Sequence, residues 1–319
     1  RYAAENSQGD SRNILSTETT DSLVLGFTVS GALAEGKYVS VGSSYEEMGG
    51  EPSQVSYDPL ATTASSWENE SLYDPQAIAA TDLARNAEKT LIWFRDHLGR
   101  QSWDNRGSNL YTSIGGNRDE EGKPEFNAYG GNGTILICDD TSRSGHYLSE
   151  ALDIVAHEFG HSVVGADQDF VYESEPGALN EALSDVMCKC VEGFASTVLA
   201  DSVGENFRDV VYPEKQGYPS KYSEFIYSDE DNGGVHGNAG VVSKPLSLMA
   251  LESESTTAAG CTRILSLVLD YFHEFYLNKR LSLEDFAIGL SAYCQLHESA
   301  SYCAELDDRL DDGELLGVE

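Results

Sequence analysis

The chain has 319 residues, 40% of them hydrophobic, which is enough to bury a core and excludes a disordered chain. Its formal net charge of −34, with 20 basic residues against 54 acidic ones, excludes nucleic acid and anionic membrane surfaces as partners. No apolar run approaches the roughly 20 residues that span a bilayer, and the start at Arg1, without a signal-peptide pattern, reads as a mature secreted chain whose targeting segment has been removed.

In chain order, the first half reads as strand and turn. The stretch DSLVLGFTVSGALAEGKYVSVGSS sets β-branched and aromatic residues between Gly, Ser and Asp punctuation. One helix interrupts it at 74–99, opening on Asp-Pro and ending at Gly99. Strands resume at GTILIC, 133–138. From about residue 148 the apolar period changes from two to 3.6. Helices are predicted at 149–165, 177–194, 237–252, 260–277, 284–296 and 303–310, with Pro245 expected to kink the third. The expected class is α+β: a β-rich domain over 1–149, a mainly helical domain over 150–319, and an active-site cleft between them.

Six cysteines, at 138, 188, 190, 261, 294 and 303, suit an oxidising compartment. Cys188-Lys-Cys190 is too tightly spaced for a usual zinc pair, so disulfides are the expected use. Cys294 and Cys303 bracket a short polar stretch and are the first expected pair; the other pairings stay open.

The chemistry concentrates in His157-Glu158-Phe159-Gly160-His161. Positions i and i+4 share a helix face, so two imidazoles so placed can hold one tetrahedral cation. Glu158, one residue round the helix from His157, can act as general base on a metal-activated water. Leu152, Val155, Ala156, Phe159 and Val163 make the segment apolar and buried, where histidines need partners. Twenty residues after His161, the segment GALNEALSDV presents Glu181 and Asp185 on one helical face. Two His and one Glu make a catalytic zinc set with one position left for water. Asp185 and Asn180 are candidates to accept the second ring N–H of the zinc-bound histidines.

These residues and their spacing resemble the thermolysin-like zinc metallopeptidases, over most of the chain and most strongly from 127 to 245. The resemblance implies an endopeptidase with one catalytic zinc. It implies that Asn127 and Ala128 belong to an edge strand that pairs with extended substrate. Tyr172 and His236 take the place of the transition-state donors, with Asp231 orienting His236. Arg208 takes the place of the arginine that holds a substrate carbonyl. Ile154, Phe207 and Arg208 would line a pocket for a bulky apolar residue after the scissile bond. Asp153, Glu192 and Glu205 match calcium-ligand positions and Asp201 is close to another. Ser202 stands where the family often has an acid, so one structural Ca²⁺ is expected rather than two.

By the same resemblance the partners are protein or peptide substrates and, before maturation, the chain's own propeptide; a monomer is expected. The chain departs from the family in lacking a tryptophan after Asn-Ala-Tyr, in CDDTS at 138–142, and in a shorter loop between Glu205 and Arg208. Two rival readings lack their sequence features. A zinc aminopeptidase needs an acidic Gly-x-Met-Glu-Asn strand, which is absent. A zinc-binding module without catalysis predicts a broken base or a missing oxyanion donor, whereas Glu158, Tyr172 and His236 are all present.

Overall fold

The computed structural model describes residues 2–5, 11–19, 22–28, 38–45, 56–59, 61–62, 75–115, 125–138 and 145–317. The expected rim segment CDDTS lies outside them beyond Cys138. Two compact units divide the chain within one helix: Arg1–Ser162 with Ala200–Glu205, and Val163–Leu199 with Asn206–Glu319.

The first unit is built on a mixed sheet. Its strands are β1 Tyr2–Glu5, β2 Ser11–Thr19, β3 Ser22–Thr28, β4 Tyr38–Tyr45, β5 Ser56–Pro59, β6 Ala61–Thr62, β7 Leu110–Gly115, β8 Ala128–Gly131 and β9 Thr134–Ile137. The main order is β1-β2-β3-β4-β7-β9-β8, with β5 on β4 and β6 on β3. The β4–β7 and β7–β9 pairs are parallel and the rest antiparallel. A parallel neighbour needs a crossover, and helix α1, Pro75–Leu98, lies in the one joining β4 to β7. Its buried residues Ala79, Leu83, Ala84, Ala87, Leu91 and Phe94 recur at three and four, which is the face a helix must cover.

The β8–β9 hairpin turns on Asn132 and Gly133, both at positive φ, the type I′ geometry that matches strand twist. In β9, Ile135 and Ile137 are buried while Thr134 is exposed, so the period-two reading of GTILIC holds.

The helices that follow are α2 Leu152–Asp167, α3 Ser174–Glu192, α4 Asp231–Asn238, α5 Gly240–Glu252, α6 Thr257–Glu274, α7 Leu283–His297 and α8 Ala300–Asp312. The sheet precedes a mainly helical remainder, the α+β class expected. Every predicted helix is present with ends within three residues, 237–252 appearing as α5. The short helix α4 before it was not expected. Asn232, Gly233 and Gly234 sit at φ 48°, 89° and 78°, so a left-handed turn follows Asp231 before the chain coils to Asn238. Pro245 lies inside α5, which runs on to Glu252.

In the second unit two disulfides tie helices together: Cys190–Cys261 joins α3 to α6, and Cys294–Cys303, the expected pair, joins α7 to α8. Cys138 and Cys188 are buried. Buried Gln168 pins the chain after α2 to the end of α6. It donates to Phe272 O at 2.8 Å and Phe275 O at 2.7 Å, and accepts from Leu277 N at 2.9 Å. No described helix is long and apolar enough to cross a membrane.

Candidate metal centre

In the first unit, α2 carries the His-Glu-x-x-His segment. Val155, Ala156 and Phe159 are fully buried, and Phe159 packs edge-on against Phe94 of α1, ring centroids 4.9 Å apart. His157 and Glu158 are 5% and 6% exposed, so the polar pair stands at the margin of a packed face. The rings of His157 and His161 meet at 87° with centroids 4.6 Å apart, as the i, i+4 spacing requires.

Strand β8 ends the sheet and runs close beside this helix. A Cβ built on Gly130 would sit 2.2 Å from the Glu158 carbonyl oxygen, so only glycine allows that approach. Ser162 Oγ of α2 also accepts from Gly133 N, in the hairpin turn, at 3.0 Å. Asn127 extends the β8 pairing, its carbonyl accepting from Cys138 N at 3.0 Å and its side-chain oxygen from Ala128 N at 3.0 Å. The expected edge strand is thus an edge strand, positioned by the turn and by α2. Ile154 is buried in the first turn of α2.

In the second unit, Glu181 and Asp185 are both fully buried on α3. Arg208 binds them together: Nε donates to Asp185 Oδ2 at 2.7 Å, and Nη2 to Asp185 Oδ1 and Glu181 Oε2, each at 2.7 Å. Burial works against the guanidinium charge, but Asp185 and Glu181 outweigh it and hold its pKa well above the usual arginine range. Arg208 is therefore a fixed cation. The Tyr172 hydroxyl donates to Glu181 Oε1 and lies 3.4 Å from His236 Nε2. His236 is held from behind by Asp231, whose carboxylate meets Nδ1 at 2.5 Å and accepts from His236 N at 3.0 Å.

Close packing of α4 on α3 requires another glycine: a Cβ on Gly177 would meet Val235 Cγ1 at 2.5 Å. Half-buried Asn180 lies one residue before Glu181 on α3. Phe207 pairs its N–H with Leu199 O at 3.3 Å.

Among the described residues, three groups have ligand atoms within 4.8 Å of one another and could hold a metal ion. One is His157, His161 and Glu181, the expected zinc set. A second, His157 with Asp185 and Cys188, shares a histidine with it. The third is Asp153, Glu192 and Asp201, three of the four calcium candidates; Glu205 is not in this group. Asp153 Oδ2 accepts from Ala200 N at 2.9 Å, fixing the loop that bears Asp201.

Sequence reasoning missed three features: the bonds from Arg208 to Glu181 and Asp185, the Tyr172–Glu181 bond, and a fully buried Lys189. The only signal for the last was a lysine inside the apolar run VMCKCV.

Comparison with known proteins covers nearly the whole chain. Residues 12–165 match the model described as thermolysin metallopeptidase, catalytic domain, and residues 168–295 that of the thermolysin metallopeptidase, alpha-helical domain. The chain is 30% identical over 215 residues to an extracellular elastase of Staphylococcus epidermidis, covering 65% of this chain and 42% of that protein. It is 33% identical over 178 residues to neutral protease B of Bacillus subtilis, covering 54% of this chain and 32% of that one. The match therefore spans less than half the length of either relative. The precursor of protealysin, a metalloproteinase from Serratia proteamaculans, shares the fold with a TM-score of 0.67 at 20% identity, over 87% of this chain and 86% of that one.

Proposed function

The chain belongs to the thermolysin metallopeptidase family, and on that premise we propose that it is a zinc-dependent endopeptidase that hydrolyses internal peptide bonds. The observation that carries this reading is the donor set: two imidazoles one helical turn apart and a buried carboxylate, ligand atoms within 4.8 Å. Two nitrogens and one oxygen fit zinc and leave one position of a tetrahedron open. Zinc held by His157, His161 and Glu181 supplies Lewis-acid activation of water and of the scissile carbonyl.

The remaining work falls to the chain. Glu158 takes a proton from the attacking water and delivers it to the leaving nitrogen. Tyr172 and His236 donate to the carbonyl oxygen as negative charge develops on it. With Nδ1–H given to Asp231, a donor at Nε2 requires hydrogen on both ring nitrogens, and Asp231 is the anion that accompanies that form. Asp185 and Asn180 accept the second ring N–H of the zinc histidines and fix their tautomers. Arg208, tied to Asp185 and Glu181, holds both carboxylates in place and turns its charge to a substrate carbonyl.

The edge strand at Asn127 and Ala128 takes extended substrate by strand addition. By the family likeness, Ile154, Phe207 and Arg208 select a bulky apolar residue after the scissile bond. One structural Ca²⁺ binds at Asp153, Glu192 and Asp201, with Glu205 as an outer candidate. Secretion and a propeptide are supported by the names of the relatives, an extracellular elastase and a protealysin precursor.

The test is cleavage of an end-blocked peptide with an apolar residue after the target bond, before and after chelation and on restoring zinc with calcium. Internal cleavage that is lost and then restored is the expected result. Survival of the blocked peptide, with loss of the first residue from an unblocked one, would replace this reading with an aminopeptidase.

A further inference from the structure

Lys189 lies in the last turn of α3, three residues before Glu192, and is 0% exposed. A buried ammonium persists only when hydrogen-bonded and paired. Nζ donates to Val198 O at 2.9 Å and forms an ion pair with the Glu192 carboxylate. Glu192 is in turn one of the three carboxylates of the acidic metal-binding group, with Asp153 and Asp201. A cation built into the chain therefore already sits on one of the groups that would ligate a bound cation. The charges make the consequence specific. Three carboxylates carry three negative charges, which one ammonium and one divalent ion match. Two divalent ions beside the fully buried Lys189 would leave the group with excess positive charge.

We propose that Lys189 is an internal counter-cation for this group: it neutralises Glu192, limits the group to one divalent ion, and keeps the end of α3 folded when calcium is absent. The ion count rests on the calcium reading given above; the Lys189–Glu192 pairing does not.

The test compares thermal unfolding midpoints of the full chain in zinc-containing buffer, from no calcium to about 10 mM. Glu158→Gln serves as parent to suppress self-cleavage, and calcium stoichiometry is read by titration calorimetry. Lys189→Met should lower the midpoint by roughly 5–15 °C without calcium, and calcium should restore at least half of that loss. Lys189→Met with Glu192→Gln should unfold above Lys189→Met alone and gain little from calcium. If Lys189→Met does not fold, Glu192→Gln replaces it, and its buried ammonium should cost stability that calcium cannot restore. The parent should bind a single calcium. A loss identical at every calcium concentration, or no coupling between the two substitutions, overturns the counter-cation. Two ions in the parent overturn the limit on the count, and no ion at all overturns the calcium reading while leaving the coupling to decide the pairing.

Discussion

The Tyr172 hydroxyl is shared between two duties that one substitution can separate. It donates to Glu181 Oε1 and stands 3.4 Å from His236 Nε2. If its catalytic duty is donation to the oxyanion, Tyr172→Phe lowers kcat by about 10²–10³ with KM and bound zinc nearly unchanged. A drop in zinc affinity with kcat preserved would instead make it a positioning residue for Glu181. At this scale the sequence was most legible where the chemistry is local. His157, Glu158 and His161 share one helical turn, and helix geometry alone puts both rings on one face. Partners far apart in sequence were not legible. Arg208 reaches Asp185 and Glu181 on α3 from a loop beyond that helix, and nothing in the letters around any of them marks the pairing.

Among the elements, β8 and α2 approach each other closely at Gly130. Gly130 leaves no room for a methyl group against the Glu158 backbone. Gly130→Ala must push the edge strand off the helix, at about 1–3 kcal/mol of overpacking strain. The expected outcome is a lower unfolding midpoint together with at least a tenfold loss of kcat/KM on an extended peptide. A variant with wild-type values for both would show that substrate does not depend on the placement of β8. Helices were legible because three-four periodicity records which face is buried. The helix at 231–238 was not, because Asn232-Gly233-Gly234 reads as a break and serves as a left-handed turn within the segment. The short Cys294–Cys303 bridge could be read from spacing, but Cys190–Cys261 could not, since 71 residues separate partners that meet only once α3 and α6 pack.

Across the whole molecule, the net charge of −34 is the dominant physical fact. Self-repulsion of that size opposes the compact state, and salt shortens its range from about 10 Å at 0.1 M to about 3 Å at 1 M. The unfolding midpoint should therefore rise with sodium chloride over that range. A midpoint that falls would show that exposed ion pairs such as Lys221–Glu314 and Lys244–Glu214 outweigh the repulsion. The α+β class was legible from the change of period near residue 148. The strand order was not, because the parallel β4–β7 and β7–β9 pairs join segments that local pattern cannot connect.

Labour at the site is divided: His157, His161 and Glu181 hold the metal, and Glu158 performs the proton transfer. The most direct measurement is zinc content and end-blocked peptide cleavage on the same preparation of Glu158→Gln. The expected result is about one zinc per chain, as in the unmodified protein, with kcat/KM reduced ~10²–10⁴-fold. Cleavage at the unmodified rate, or loss of zinc together with activity, would contradict it.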